Sequence, residues 1–274
     1  MGVEFDIIED NGLEFFTGML PLPTGHVCFA PLLEDRIPEL SKTEIEDIAK
    51  SGSADGRNLF PRREWVTDQK SHGSCNGFAG AGALSAARVR RGLEKVVLSG
   101  AYLYSLINRG RDQGSLLNEG MAVLQTRGCA TAATVPWDDI YPRQQRPEAA
   151  KEAGRFKAFE CYKVGTQIGF WSALALGFDV VVAVHAGNNF MRLGPNEVAG
   201  MDRGPGNHAV RADGIAWVGE PAATHIGSWN VSYGKEGGSL LTWKHFAQTF
   251  AHHDFYAVRS TTDDPDADNP PRTA

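Results

Sequence analysis

No apolar run in this 274-residue chain reaches the roughly 20 residues that a helix needs to cross a bilayer. A helical membrane span is therefore not expected. A basic stripe is missing too. The formal net charge is −6, and the densest cationic group is Arg88, Arg90 and Arg91. Arginines so spaced suit the C-terminal dipole of a helix better than a phosphate backbone. Neither a nucleic-acid nor a membrane partner is expected. Residues 1–12 are acidic and carry no basic n-region of a secretory signal. Asp6 stands where a myristoylation motif wants Ser or Thr. The expected address is the cytoplasm, or a particle assembled there. Cysteine is scarce: Cys28, Cys75, Cys129 and Cys161, with no C-x-x-C pair. That spacing excludes an ordinary structural zinc site, and a reducing compartment disfavours disulfides. No metal or cofactor is expected. Three of the four cysteines read as small buried apolar side chains.

What is present divides into parts. Residues 1–58 read as an N-terminal arm, extended and broken by Pro and Gly, with one short helix after Ser41. There Glu44 completes a capping box. A pro-segment-like extension and a docking strand for a protein partner are both open for this arm. Residues 75–91 follow a helical pattern rich in small residues. A helix that accepts glycine at about 1 kcal/mol per site is packed closely on several sides. Further helices are predicted near 101–108, 118–127 and 171–177. Later segments are β-branched or alternating, and predict strands at 179–185, 209–218, 225–230, 238–243 and 255–259. Helices first and strands second indicate an α+β chain. The predicted units are a helical lobe at about 59–140 and a β lobe at about 155–260. The Asp- and Pro-rich residues 261–274 form a tail expected to be disordered.

One cysteine differs from the rest. A cysteine attacks only as thiolate, and a helix N-terminus with a nearby histidine lowers its pKa. Cys75 stands at the predicted start of the small-residue helix, after Gly73-Ser74. An oxyanion hole needs a backbone N–H and a second donor. Gln69, six residues upstream, can supply a side-chain amide.

The segment Val66-Thr67-Asp68-Gln69-Lys70-Ser71-His72-Gly73-Ser74-Cys75-Asn76-Gly77-Phe78-Ala79 resembles the active-site segment of papain-like cysteine peptidases. Gly206-Asn207-His208-Ala209-Val210 resembles that family's Asn-His-Ala-Val strand, 133 residues after Cys75 (208 − 75). Leu98-Ser99-Gly100-Ala101-Tyr102, Gly128-Cys129-Ala130-Thr131 with Val135-Pro136-Trp137, and Ser228-Trp229 with Tyr233-Gly234 and Gly237 resemble further family segments in the same order. The resemblance covers about residues 59–260. It implies a papain-like two-lobe fold, a helical lobe against an antiparallel β lobe, with a peptide or protein substrate in the cleft between them. It also implies a catalytic set of Cys75, His208 and Gln69.

The sequence departs from the family at several points. His72 replaces a disulfide-forming cysteine and reads as a loop residue near the thiol. Asn76 replaces a tryptophan. The family's asparagine, which orients the histidine, falls on Gly227, which has no side chain. Asn230, three residues on, is the proposed substitute; Asn207 or a backbone carbonyl are the alternatives. Trp229 is expected to shelter the His208 hydrogen bond. The resemblance implies a cysteine peptidase that hydrolyses peptide or isopeptide bonds through a thiolate–imidazolium pair and an acyl-enzyme. The rival readings are a catalytically impaired binding or structural module, for example of a phage particle, and a cell-wall amidase using the same pair.

Overall fold

The computed structural model describes residues 8–10, 13–15, 17–23, 30–59, 64–141, 147–193 and 198–263. The predicted tail from 264 onward, Cys28 and part of the 188–203 loop lie outside them. The short strands β1 (Ile8–Asp10) and β2 (Leu13–Phe15) pair antiparallel near the start. Helix α1 (Lys42–Ser51) begins at the expected capping box, with Ser41 and Glu44 bonding reciprocally. It packs on the later β lobe and buries Ile45 and Ala49. One turn, α2 (Gly56–Leu59), follows.

Helix α3 (Cys75–Arg90) is the axis of the molecule. Thirteen of its residues are buried, from Cys75 to Arg88. It lies between α4 (Gly100–Ile107), α5 (Leu117–Thr126) and the sheet. The small residues have a geometric cause. A Cβ at Gly77 would lie 2.3 Å from the Gly100 carbonyl oxygen, and one at Gly100 would lie 2.4 Å from the Phe78 ring. Backbone meets backbone there, and only glycine allows it.

After α6 (Pro147–Ala153) the chain turns to strands: β3 (Ala158–Val164), β4 (Asp179–Val184), β5 (His208–Trp217), β6 (Pro221–Ile226), β7 (Gly238–Thr242) and β8 (Phe255–Thr261). They form one sheet in the order β3-β8-β4-β5-β6-β7, with every neighbouring pair antiparallel. Helices α7 (Gln167–Ala175) and α9 (Trp243–Phe250) pack against it around Phe170 and Phe246, and α8 (Asn188–Met191) is a single turn. The α+β class and the two-lobe arrangement are as expected. Three local readings differ. Strand β3 has no counterpart in the pattern reading, because its exposed Phe159 and buried Glu160 break the alternation. The segment after 242 is a helix. Strand β6 runs 221–226 instead of 225–230, and beyond it Trp229 forms an isolated antiparallel bridge with Asp68.

The β4–β5 pairing puts Val184 opposite His208, the first residue of β5. Helix α3 packs on β5 with Cys75 as its own first residue. Two element starts from opposite lobes thus meet at one place.

Candidate active site

Cys75 is fully buried at the head of α3. Ser74 makes no side-chain cap, so the first N–H groups of the helix are left to the sulfur. Ala209 N–H donates to Cys75 Sγ across the lobes at 3.4 Å. The N–H groups of Gly18, Asn76 and Cys75 itself add to this array. All four favour thiolate. Burial opposes them and prevails, pushing the thiol up to about 11.

His208 lies beside Ala209 and is also fully buried. Burial first, and then the neighbouring His225, hold its imidazole well below the ordinary histidine value. Among the described residues neither ring nitrogen has a hydrogen-bond partner. The ring is held by packing instead: it stacks on Trp229 with centroids 4.1 Å apart and planes 17° from parallel. Thiol and imidazole are thus both uncharged near neutrality in this arrangement.

Gln69 is fully buried under the nucleophile loop. Its Nε2 donates to the His72 carbonyl at 2.7 Å, and its Oε1 accepts from Ser228 Oγ at 2.5 Å. The amide joins the loop before Cys75 to the segment that carries Trp229. His208 thus stands next to the residue whose N–H meets Cys75 Sγ, and Gln69 is tied to Ser228, next to the Trp229 ring on which His208 stacks; among the described residues, neither ring nitrogen of His208 bonds the sulfur.

It does not bring Asn230 to His208. Asn230 has a left-handed backbone, φ 59°, and its side-chain oxygen accepts the Ser232 N–H at 2.8 Å. This tight turn directs the amide along its own chain, away from β5. Asn207 is committed elsewhere, bonding both backbone groups of Ala186 at 2.8 and 3.1 Å. Trp229 touches the imidazole face itself and shields no hydrogen bond of the ring.

Sequence patterns did not reveal what fills the cleft. Residues 17–20 run between the lobes, with Met19 bridged in parallel to Ser115. Asn207 O accepts from Gly18 N–H at 3.2 Å and Met19 N–H at 2.9 Å. Ser115 N–H donates to Gly18 O at 2.9 Å, and Leu20 N–H donates to Ser115 O at 3.0 Å. Asn207 belongs to the β lobe and Ser115 to the helical lobe. Thr17 and Met19 are buried. The chain leading away is anchored on the β lobe, where Leu33 N–H donates to Lys163 O at 2.8 Å.

No family model matches the sequence, and no curated protein matches it. Solved structures do match in fold. Xylellain, a cysteine protease from Xylella fastidiosa, superposes with a TM-score of 0.67 at 19% identity, over 89% of this chain and 96% of that one. The chain has the papain-like cysteine-protease fold. The cysteine protease and lectin-like domains of Cwp84, a surface-layer-associated protein of Clostridium difficile, give 0.67 at 17% identity, over 90% of this chain and 56% of that one. The proCathepsin B S9 of Trypanosoma congolense gives 0.62 at 14%, over 90% and 86%. In a papain-like fold the lobes meet along the α3–β5 contact, which is where Cys75 and His208 lie. Among the described residues no group of three or more His, Cys, Asp or Glu side chains is arranged to hold a metal ion.

Proposed function

We propose that this chain is a cysteine peptidase acting on extended peptide segments. One observation carries the reading: residues 18–20 lie against Cys75, joined by main-chain hydrogen bonds to both lobes. Main-chain recognition of that kind reads peptide shape, with side chains adding preference. It supports a peptide substrate over a cell-wall glycopeptide.

In the open site Cys75 attacks the acyl carbon as thiolate and His208 carries the proton. The imidazolium then protonates the leaving amine, and the oxyanion is met by the Cys75 N–H and the Gln69 amide. Water releases the acyl group from sulfur. With residues 17–20 seated, the sulfur faces a Gly18 N–H. An N–H offers no electrophilic carbon, so this segment occupies the site without serving as substrate. We infer that the arm holds the enzyme latent.

The test is hydrolysis of an unfolded protein by the full chain, opened by Gly18→Ala, against the same chain with Cys75→Ala or His208→Ala. Loss of about 10³-fold or more in both variants is expected. Equal cleavage by all three chains would sink the proposal.

The missing orienter offers a second check. Gly227 carries no positive φ, and a Cβ there meets nothing closer than 3.4 Å. Gly227→Asn should therefore fold. At the position that matches the family's asparagine, with its Cβ 3.5 Å from His225 Nε2, the added amide is expected to raise kcat about tenfold. The impaired-module reading has one observation in its favour, the ring nitrogens of His208, unpartnered among the described residues. It predicts no gain from that substitution.

A further inference from the structure

We propose that Asp112 and His72 form a noncovalent clamp that positions the nucleophile loop, making Asp112 a positioning residue for Cys75 and Gln69. The inference rests on the peptidase reading and adds to it.

One carboxylate receives three hydrogen bonds from two directions. Asp112 Oδ1 accepts the Gly73 N–H at 3.0 Å and the Tyr104 hydroxyl at 2.8 Å, and Oδ2 meets His72 Nδ1 at 3.1 Å. Gly73 and His72 belong to the loop entering α3; Tyr104 belongs to α4. Tyr104 Oη in turn accepts the Gly114 N–H at 3.0 Å. The His72 carbonyl holds the Gln69 amide. One contact point therefore sets both the donor side chain and the backbone leading into Cys75. Asn76 repeats the tie one turn later: its Nδ2 donates to Ser115 Oγ at 3.0 Å and Leu116 O at 2.7 Å. Both residues that depart from the family pattern beside Cys75 thus grip the same 112–116 loop. His72 stands where the family segment has its disulfide cysteine, and an ion pair does the tying here.

The clamp carries charge. His72 faces Asp112 and Asp138, Asp112 faces His72 and Tyr104, and Tyr104 senses Cys75. The hydrogen bond to Asp112 holds the His72 imidazole above its ordinary value of 6.5. A raised histidine contributes while protonated, and its contribution fades as pH climbs through the raised value. The Gly73 bond to Asp112 survives that change; the ion pair does not.

The test uses the full chain with Asp112→Asn and, separately, His72→Gln. Amide hydrogen exchange of the peptide covering 69–75 is followed from about pH 6 to about pH 8.5, corrected for intrinsic rates. The unaltered chain should lose protection across that range, and His72→Gln should lack the step. Asp112→Asn should exchange about tenfold faster throughout while its melting temperature changes little. With the cleft opened by Gly18→Ala, Asp112→Asn should lower kcat about tenfold and leave KM within about twofold. Unchanged exchange in both variants overturns the clamp. Faster exchange with an unchanged kcat overturns the positioning role. In a chain that hydrolyses nothing, the exchange result alone decides the clamp, so its failure and that of the peptidase reading stay distinct.

Discussion

Gly18→Ala is expected to raise the rate at which iodoacetamide alkylates Cys75 by about a hundredfold at neutral pH. A Cβ at position 18 would stand 2.1 Å from the Gly73 carbonyl oxygen and 2.4 Å from its Cα. These are backbone atoms of the clamped nucleophile loop and have little room to yield. The arm segment must lift instead. Lifting it returns water to the sulfur, and burial is the largest cause of the raised thiol, now about 11 against an ordinary 9.0. The N–H donors of Ala209, Asn76 and Cys75 remain. Relief of about two pK units increases the thiolate fraction about a hundredfold. His208 gains from the same change, because its depression also comes first from burial. The sign is consistent for both groups: thiol down and imidazole up, toward the charged pair. Mapping the adduct by mass spectrometry measures the effect. Labelling of Cys75 at the unaltered rate would show that the arm does not govern access.

Replacing Asp179 by leucine is expected to destabilise the chain by about 3–5 kcal/mol. The carboxylate is fully buried between α3 and the sheet. Arg90 Nε of α3 lies 2.9 Å from Asp179 Oδ1, and Arg211 Nη1 of β5 lies 3.5 Å from Oδ2. Arg211 also donates to the Gly82 carbonyl on α3 at 2.7 Å. Burial pushes the Asp179 carboxyl up, and the two guanidinium groups only partly pull it back. Such a buried network adds little net stability, because desolvation offsets its attraction. Removing the Asp179 anion is another matter, since two guanidinium groups then stay buried with Asp213 as the remaining neighbouring carboxylate. The network pins the helix that carries Cys75 to the strand that carries His208, so the loss should appear as reduced activity as well as a lower denaturation midpoint. A midpoint unchanged in urea would show that the arginines reach water by another route.

Some of this was readable from residue order. Cys75, Gln69 and the helix behind them lie within 22 consecutive residues (69–90), and local rules apply to them: a thiol at a helix start, small residues where helices cross. The strand beginning at His208 is recognised by its resemblance to the family's Asn-His-Ala-Val segment, and the β-branched run at 179–184 marks its partner strand. The Ser41–Glu44 cap is likewise a rule about neighbours. The misreadings share a different origin. Asn230 was the nearest amide to an empty slot by count, but a left-handed turn ties it to Ser232. Strand β3 is amphipathic in the wrong phase, because Glu160 is buried against Arg259.

Sequence alone therefore picked out the candidate nucleophile Cys75, its helix, the histidine strand and the α+β order, through local patterns and the order of segments that resemble one family. Tertiary structure alone decided that Trp229 meets the imidazole face to face, that Asp112 accepts the Gly73 N–H of the loop, and that the Gly18 N–H meets the sulfur. Those pairings join residues far apart in the chain through single hydrogen bonds and ring contacts, and contacts of that kind leave no period or motif behind.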